Sequence, residues 1–322
     1  MISLRLCITV PLAAMALGCA AAAVAAHGGR FSVKLDVLTH FTPIYLLGGL
    51  LAVAVGLFLG RPGLTWVVAP GAVAVLASVA LMAPEFLASA GPKATGDGPR
   101  LTIVQFNAWG GNPKADQALA WILDQHPDIV VLEEGSRIGG RLMTEGGYHA
   151  SCRGCLAVIY SKLPLVADNT VRHGQKVKPK VSWATYTDLD GRFTVFGVHR
   201  PWPTKFARDR EETDALNAMV AARPRDRSIV VGDFNSTPWS FARRREDKAL
   251  GLIRRTRGLF SWPAEQVSHN HLPAMFPVLP IDHVYAGAGW RTVAVKRGPK
   301  LGSDHYPVLV ILESDVRPAA PH

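Results

Sequence analysis

The stretch Ser228-Ile229-Val230-Val231-Gly232-Asp233-Phe234-Asn235-Ser236-Thr237-Pro238 decides how the rest of the chain is read. Its first four residues are a short run rich in β-branched side chains, the pattern of a strand covered on both faces. Gly232 lets the chain bend. Asp233 and Asn235 stand two apart, so in an extended backbone both side chains point the same way. Thr237 and Pro238 make a good N-cap and first-turn pair, which predicts a helix beginning there. A carboxylate and a carboxamide are thus held side by side at a strand end, in the kind of loop that carries chemistry. An Asx turn before a helix explains the same residues with no chemistry at all, so the decision rests on what else reaches the strand ends.

Upstream of this stretch the chain is of a different character. Its 322 residues have room for one large or two smaller domains. A mean hydropathy of +0.15 is high for a soluble enzyme, and the apolar residues are unevenly placed. Residues 6–26, 41–60 and 62–84 are uncharged runs approaching or exceeding the roughly 20 apolar residues that span a bilayer. None has a polar face, which argues against buried core helices. These runs predict a membrane anchor with three spans over residues 1–89. The Ala-rich end of the first also offers small-residue cleavage sites, as a signal peptide would, but the run is long for that and a retained anchor is the reading preferred. Arg61-Pro62-Gly63 reads as the tight turn of a membrane hairpin. Arg5 and Arg61 on one side, against Arg30 and Lys34 on the other, specify orientation only weakly.

Residues 90–99, rich in Gly, Pro and charge, read as a linker, residues 100–314 as a globular domain and 315–322 as a tail. Residues 1–100 hold six of the 35 Lys/Arg and three of the 25 Asp/Glu, so the remainder carries a net charge of +7. That balance favours anionic partners such as phosphates, nucleic acid or lipid headgroups and is silent on fold. The domain reads as strand-rich α/β. Strands are expected near 101–106, 128–132, 156–160, 181–187, 193–198, 281–285 and 307–311, with helices near 114–125 and 205–222. Cys152 and Cys155 lack the second pair or His cluster that zinc would need, and do not sit at a thioredoxin-like junction. A short-loop disulfide in an oxidising compartment is the preferred reading, two reduced half-buried thiols the alternative. The three spans make this a multi-pass protein of the inner (cell) membrane, and the disulfide reading puts its globular part in the periplasm or outside the cell.

Other strands also end in polar side chains. Leu101-Thr-Ile-Val-Gln-Phe-Asn107 delivers an amide; Asp128-Ile-Val-Val-Leu-Glu-Glu134 delivers two carboxylates, only one of which can face a given side. Phe193-Thr-Val-Phe-Gly-Val-His199 delivers an imidazole, Pro280-Ile-Asp282-His283 an Asp-His pair, and Gly302-Ser303-Asp304-His305-Tyr306-Pro307 another. Each alone has a dull explanation as a packed histidine or a solvated charge. Six such endings in one domain are hard to dismiss.

With Gly232-Asp233-Phe234-Asn235, Ser303-Asp304-His305-Tyr306-Pro307, Leu132-Glu133-Glu134 and Asn107 in that set, residues 100–314 resemble the endonuclease/exonuclease/phosphatase superfamily. The resemblance implies a four-layer α/β sandwich, two packed mixed sheets with helices outside and the site at one rim. It further implies a Mg²⁺ or Mn²⁺ ion held chiefly by Glu134, helped by Asn107 and Asp304. Asp233 would orient or deprotonate the attacking water, and Asn235 would hold that water or a phosphate oxygen. His305 would pair with Asp282, and His199 would stabilise charge on the phosphoryl group. Some members carry an acid two residues after the first amide. Trp109 stands there in this chain, which puts a second metal position in doubt.

The implied chemistry is in-line water attack on a phosphodiester, nuclease-like, with a phospholipid or headgroup phosphodiesterase as the alternative and an inactive binding module as the remote one. Arg200 reads as a phosphate clamp or a surface charge. Arg243-Arg244-Arg245, Arg254-Arg255, Arg257 and the alternating Lys176, Lys178 and Lys180 can track a nucleic-acid backbone or rest on lipid headgroups. Trp202, Trp239 and Trp262 can stack on bases or dip into an interface, and at least one of them is expected simply to be packed. The expected partners are a phosphate-ester substrate and a bilayer. No segment points to a protein partner.

Overall fold

The computed structural model describes residues 4–61, 63–96, 98–169, 181–188, 190–267 and 272–315. Lys176, Lys178 and Lys180 lie outside them. The chain divides into two compact units: residues 1–88 with 236–245, and residues 89–235 with 246–322.

In the first unit, helices α1 (Leu4–Ala26), α2 (Val33–Thr39), α3 (Thr42–Phe58) and α4 (Ala69–Leu87) pack together. The stretches Leu6–Arg30 and Leu64–Leu87, each of mean hydropathy 2.1, are long and apolar enough to cross a membrane. The expected third span exists only if α2 and α3, bent by 54° at their junction, count as one. Small residues let the helices approach: Ala16, Ala52 and Val67 form a fully buried cluster.

The second unit contains two six-stranded sheets. In chain order its elements begin with β1 (Arg100–Asn107), α5 (Ala115–Asp124), β2 (Ile129–Glu133), α6 (Ser136–Gly146), β3 (His149–Ser151), β4 (Ala157–Ser161) and β5 (Leu165–Asp168). They continue with β6 (Val181–Asp188), β7 (Gly191–His199), α7 (Phe206–Ala221) and β8 (Ser228–Asp233). After α8 (Phe241–Leu250), whose start belongs to the first unit, come β9 (Ile253–Arg254), β10 (Gln266–Val267), β11 (Leu272–Pro273), β12 (Asp282–Ala286), β13 (Trp290–Arg297) and β14 (Val308–Ser314). One sheet runs β13-β14-β1-β2-β4-β3 and the other β5-β6-β7-β8-β12-β9, each mixing parallel and antiparallel pairs.

Strand alternation makes the layers. On β1, Leu101 and Ile103 face the space between sheets, while Val104 and Phe106 face α5 and α6. On β8, Ile229 and Val231 join the inter-sheet core, and Val230 packs towards α7 beside Leu216 and Val220. The result is the α/β sandwich that the polar strand endings implied, with helices on both outer faces.

One local expectation is corrected. The helix after the core motif starts at Phe241, not at Thr237-Pro238. The Thr237 hydroxyl lies 2.9 Å from His40 Nδ1 instead of capping a helix, and residues 237–240 close a turn through Ser240 N–H donating to Thr237 O, 3.1 Å.

Candidate active site

Register brings the polar strand ends to one level. In the second sheet His199 pairs with Asp233, and Asp233 with Asp282, across three neighbouring strands. In the first sheet Asn107 pairs with Glu133. Asn107 on β1 and Asp233 on β8 then meet across the sandwich, with the Asn107 amide donating to Asp233 Oδ2 at 3.0 Å.

Asp233 is the hub, fully buried, with both oxygens engaged. Its Oδ1 accepts the Asn235 backbone N–H at 2.8 Å; its Oδ2 accepts the Asn235 side-chain amide at 3.1 Å. His305 Nε2 and His199 Nε2 lie 3.7 and 3.8 Å from the same Oδ2. On its other side His305 donates from Nδ1 to Asp282 Oδ2, 2.9 Å. His199 Nε2 is also 3.7 Å from Glu134 Oε1. Asp304 accepts from the Trp262 indole N–H at 3.2 Å. Seven of the expected residues, Asn107, Glu134, His199, Asp233, Asn235, Asp282 and His305, are therefore linked in one chain of contacts, with Asp304 adjoining through its neighbour His305.

The adjacent carboxylates of Glu133 and Glu134 take different roles. Glu133 is fully buried beneath the site, whereas the Glu134 side chain is 41% exposed. Both Glu134, at φ 53°, and Asn235, at φ 47°, hold left-handed backbone conformations unusual for such residues. Gly232, at φ 150°, sits where an added Cβ would meet the Val198 carbonyl oxygen at 1.9 Å, so only glycine lets β7 and β8 close here.

Charge at the centre follows from burial and proximity. Burial alone would lower the His305 pKa. The charges of Asp282 and Asp233, the hydrogen bond to Asp282 and the charge of Asp304 outweigh it and push the imidazole up to about 10. Burial, with the Asp282 charge added, raises Asp233 against the opposing pull of His305 and His199. Burial first, then the Asp282 and Asp233 charges, lifts Glu133 well above the carboxylate range.

Among the described residues Asp233, Asp282 and His305 offer ligand atoms within 4.8 Å of one another. These residues are buried, and Asp282 Oδ2 already accepts the His305 Nδ1 proton at 2.9 Å. Ions such as Mg²⁺ keep several waters and take hard oxygen ligands. The half-exposed Glu134 carboxylate fits that requirement better than the buried triad.

Two sequence-based expectations change. Arg200 is not a phosphate clamp: it is 2% exposed, its guanidinium pairs with buried Glu246 and donates to Asp209 O at 3.2 Å. It serves the site through its carbonyl, which accepts the Asn235 amide at 3.0 Å. The basic cluster is largely internal. Arg243, Arg254 and Arg255 are buried, Arg254 pairs with Asp247, and Arg255 donates to the carbonyls of Ala286, Gly287 and Trp290. Trp239 is fully buried, as at least one tryptophan was expected to be, whereas Trp202 is half exposed and packs edge-on against Trp262. Cys152 and Cys155 are joined in a disulfide.

Two supporting residues escaped the sequence reading. Gln105 donates to both Glu133 Oε2, 2.9 Å, and Asp282 Oδ1, 2.8 Å. Ser303 donates to Asn107 O at 2.6 Å and accepts the His305 N–H at 3.1 Å. Gln105 was detectable as a polar residue two before Asn107 on an apolar strand, hence on the same face.

Sandwich and rim together define a phosphoesterase fold. The chain belongs to the Endonuclease/Exonuclease/phosphatase family, whose sequence model matches residues 104–305. Among solved structures it is similar to an endonuclease/exonuclease/phosphatase family protein from Bacteroides thetaiotaomicron, at TM-score 0.53 and 17% identity, covering 69% of this chain and 100% of that one. An endonuclease/exonuclease/phosphatase from Beutenbergia cavernae DSM 12333 aligns at 0.51 and 19% identity, over 69% and 73% of the two chains. A mannosyl-6-phosphatase from Bacteroides thetaiotaomicron VPI-5482 aligns at 0.50 and 16%, over 66% and 99%. At these identities the likeness is one of fold. No curated protein matches the sequence significantly.

Proposed function

We propose that the protein is a membrane-anchored, divalent-metal-dependent phosphoesterase that hydrolyses phosphodiester bonds by in-line attack of water. The observation that carries this reading is the Asp282–His305–Asp233 relay, buried and opening towards Glu134 through His199. Glu134 and Asn107, with Asp304, would hold Mg²⁺ or Mn²⁺. Such an ion polarises a phosphoryl oxygen and steadies the leaving oxyanion.

The chain's own residues do the rest. The Asp282 and Asp233 charges push His305 up to about 10, which favours the imidazole as a donor of a hydrogen bond and positive charge to the phosphoryl group over proton acceptor from water. Asp233 is then the general base, or the group that orients the water, with Asn235 beside it. His199, between Glu134 and Asp233, contacts a phosphoryl oxygen as the phosphorus becomes five-coordinate. Asp233→Ala and His305→Ala are each expected to lower turnover at least about a thousandfold with folding intact by circular dichroism. Near-normal turnover in both would refute these roles, and full activity in chelator would refute the metal.

Nucleic acid is the first substrate class to test. A lipid-headgroup phosphodiester is the second, favoured by the burial of Arg243, Arg254 and Arg255 and by the exposed Trp202, Met275 and Phe276. Plasmid DNA in one assay and phospholipid vesicles in another, both with Mg²⁺, separate the two. The Cys152–Cys155 disulfide supports an oxidising surrounding for the catalytic unit, periplasmic or extracellular in an inner-membrane protein.

A further inference from the structure

The segment leaving the catalytic motif is gripped by the N-terminal helices. Residues 236–245 form one compact unit with residues 1–88. Asp36 on α2, only 4% exposed, accepts the backbone N–H groups of Phe241 and Ala242, both at 2.8 Å, and the Ser240 hydroxyl at 3.1 Å. Phe241 and Ala242 are the first two residues of α8. Ser240, just before them, uses its own Oγ to accept Arg243 N–H, 3.2 Å. A helix leaves its first four amides without internal partners, and here a carboxylate some two hundred residues away satisfies two of them. Its charge also suits the positive end of the helix dipole.

Further contacts fix the turn before α8. His40 Nδ1 meets the Thr237 N–H at 3.2 Å, and the Trp239 indole donates to Thr39 O at 2.8 Å. Arg244 donates to the Leu81 carbonyl. The fit around Asp36 is close: a Cβ on Gly29 would stand 2.8 Å from Asp36 Oδ1 and 2.9 Å from a Phe241 ring carbon.

Neither a tether nor an ordinary helix start needs this. A spanning anchor gains nothing from a carboxylate buried among apolar helices, which costs free energy unless fully bonded. The local sequence already offers Thr237 as a cap, and the structure diverts it to His40. The gripped residues follow closely on Asn235, one peptide bond before Ser236. Asn235 holds φ 47° and bonds Asp233 through both its backbone and side-chain N–H groups. A left-handed non-glycine residue persists where its surroundings over-determine it.

We propose that Asp36, with Thr39 and His40, is a positioning device for the reaction. By immobilising residues 237–242 it holds Asn235 in its strained conformation and, through Asn235, the orientation of the Asp233 carboxylate. The inference rests on the hydrolase reading for its functional meaning.

The test uses the full chain in lipid nanodiscs, comparing wild type with Asp36→Ala, Asp36→Asn and Gly29→Ala. Amide hydrogen exchange is followed across residues 233–244, alongside Mn²⁺-supported hydrolysis of bis(p-nitrophenyl) phosphate. Losing the cap is expected to speed exchange at Phe241 and Ala242 about tenfold in Asp36→Ala and Gly29→Ala, and less in Asp36→Asn, which keeps one acceptor. The Asn235 amide should quicken with them, and kcat should fall about tenfold or more while KM stays within about twofold. Faster exchange at 241–242 with Asn235 and kcat unchanged would overturn the proposal and leave a local cap. Should Asp36→Ala fail to fold, Asp36→Asn and Gly29→Ala decide. If wild type hydrolyses nothing with any divalent ion, the hydrolase reading fails, while exchange at Asn235 still judges the positioning.

Discussion

His305 shows how much of the site is set by charge rather than by shape. It lies 2.9 Å from one carboxylate and 3.7 Å from another, all three groups buried. A histidine titrates near 6.5 in an unfolded chain, and these neighbours, working against burial, push it up to about 10 here. A folded pKa above the unfolded one means that the pair's contribution is complete below pH 6.5 and disappears as pH rises through 10. Glu133 and Asp233, raised chiefly by burial, lean the same way over their own range. The thermal midpoint, measured in chelator, should therefore fall steadily between pH 6.5 and 10. Asp282→Asn should flatten that slope and cost about 3 kcal/mol at neutral pH, since it strands a buried charge. A midpoint independent of pH over this interval would show that His305 is not held as an imidazolium.

At the scale of elements, the site depends on three strands ending level, and Gly232 is where that levelling is most exposed to damage. Its parallel partner is Val198, whose carbonyl oxygen occupies the space a side chain would need. Gly232→Ala should force β7 and β8 apart just before the His199 and Asp233 pair. We expect a loss of more than about 2 kcal/mol in denaturant unfolding and a larger fall in activity than the lost stability alone explains. A variant as stable and active as wild type would mean that the strands repack freely. The same elements show what was legible beforehand. β1, β2, β7, β8 and β12 announce themselves because apolar runs stop abruptly at Asn107, Glu133, His199 and Asp233, or begin at Asp282. α6 was missed because the Gly139-Gly140 pair lowers its helix propensity, and the face that fixes it, Ile138, Gly139 and Leu142, is buried only in the fold. β13 escaped for the opposite reason, its residues being mostly half-buried with no clean alternation. The start of α8 was misplaced because its cap, Asp36, comes from a distant part of the chain, which no local pattern reports.

At the scale of the whole molecule, the proposed anchoring predicts which side of a membrane the second unit would face, and the cysteines make that measurable. Cys7 and Cys19 are free thiols on α1, while Cys152 and Cys155 are bonded to each other in the catalytic unit. Charge does little to choose the orientation, because the Arg and Lys residues flanking the apolar helices are few and fall on both sides. Oxidation state therefore separates the two orientations: a disulfide between cysteines three residues apart persists outside the cytoplasm and is generally kept reduced within it. In a Cys7→Ala/Cys19→Ala background, intact cells should take up no membrane-impermeant maleimide until an impermeant reductant is added, and two equivalents thereafter. Labelling without reductant, seen only after the cells are lysed, would place the catalytic unit in the cytoplasm. Polyanions and lipids of the inner leaflet would then be its accessible esters, in place of those outside the cell.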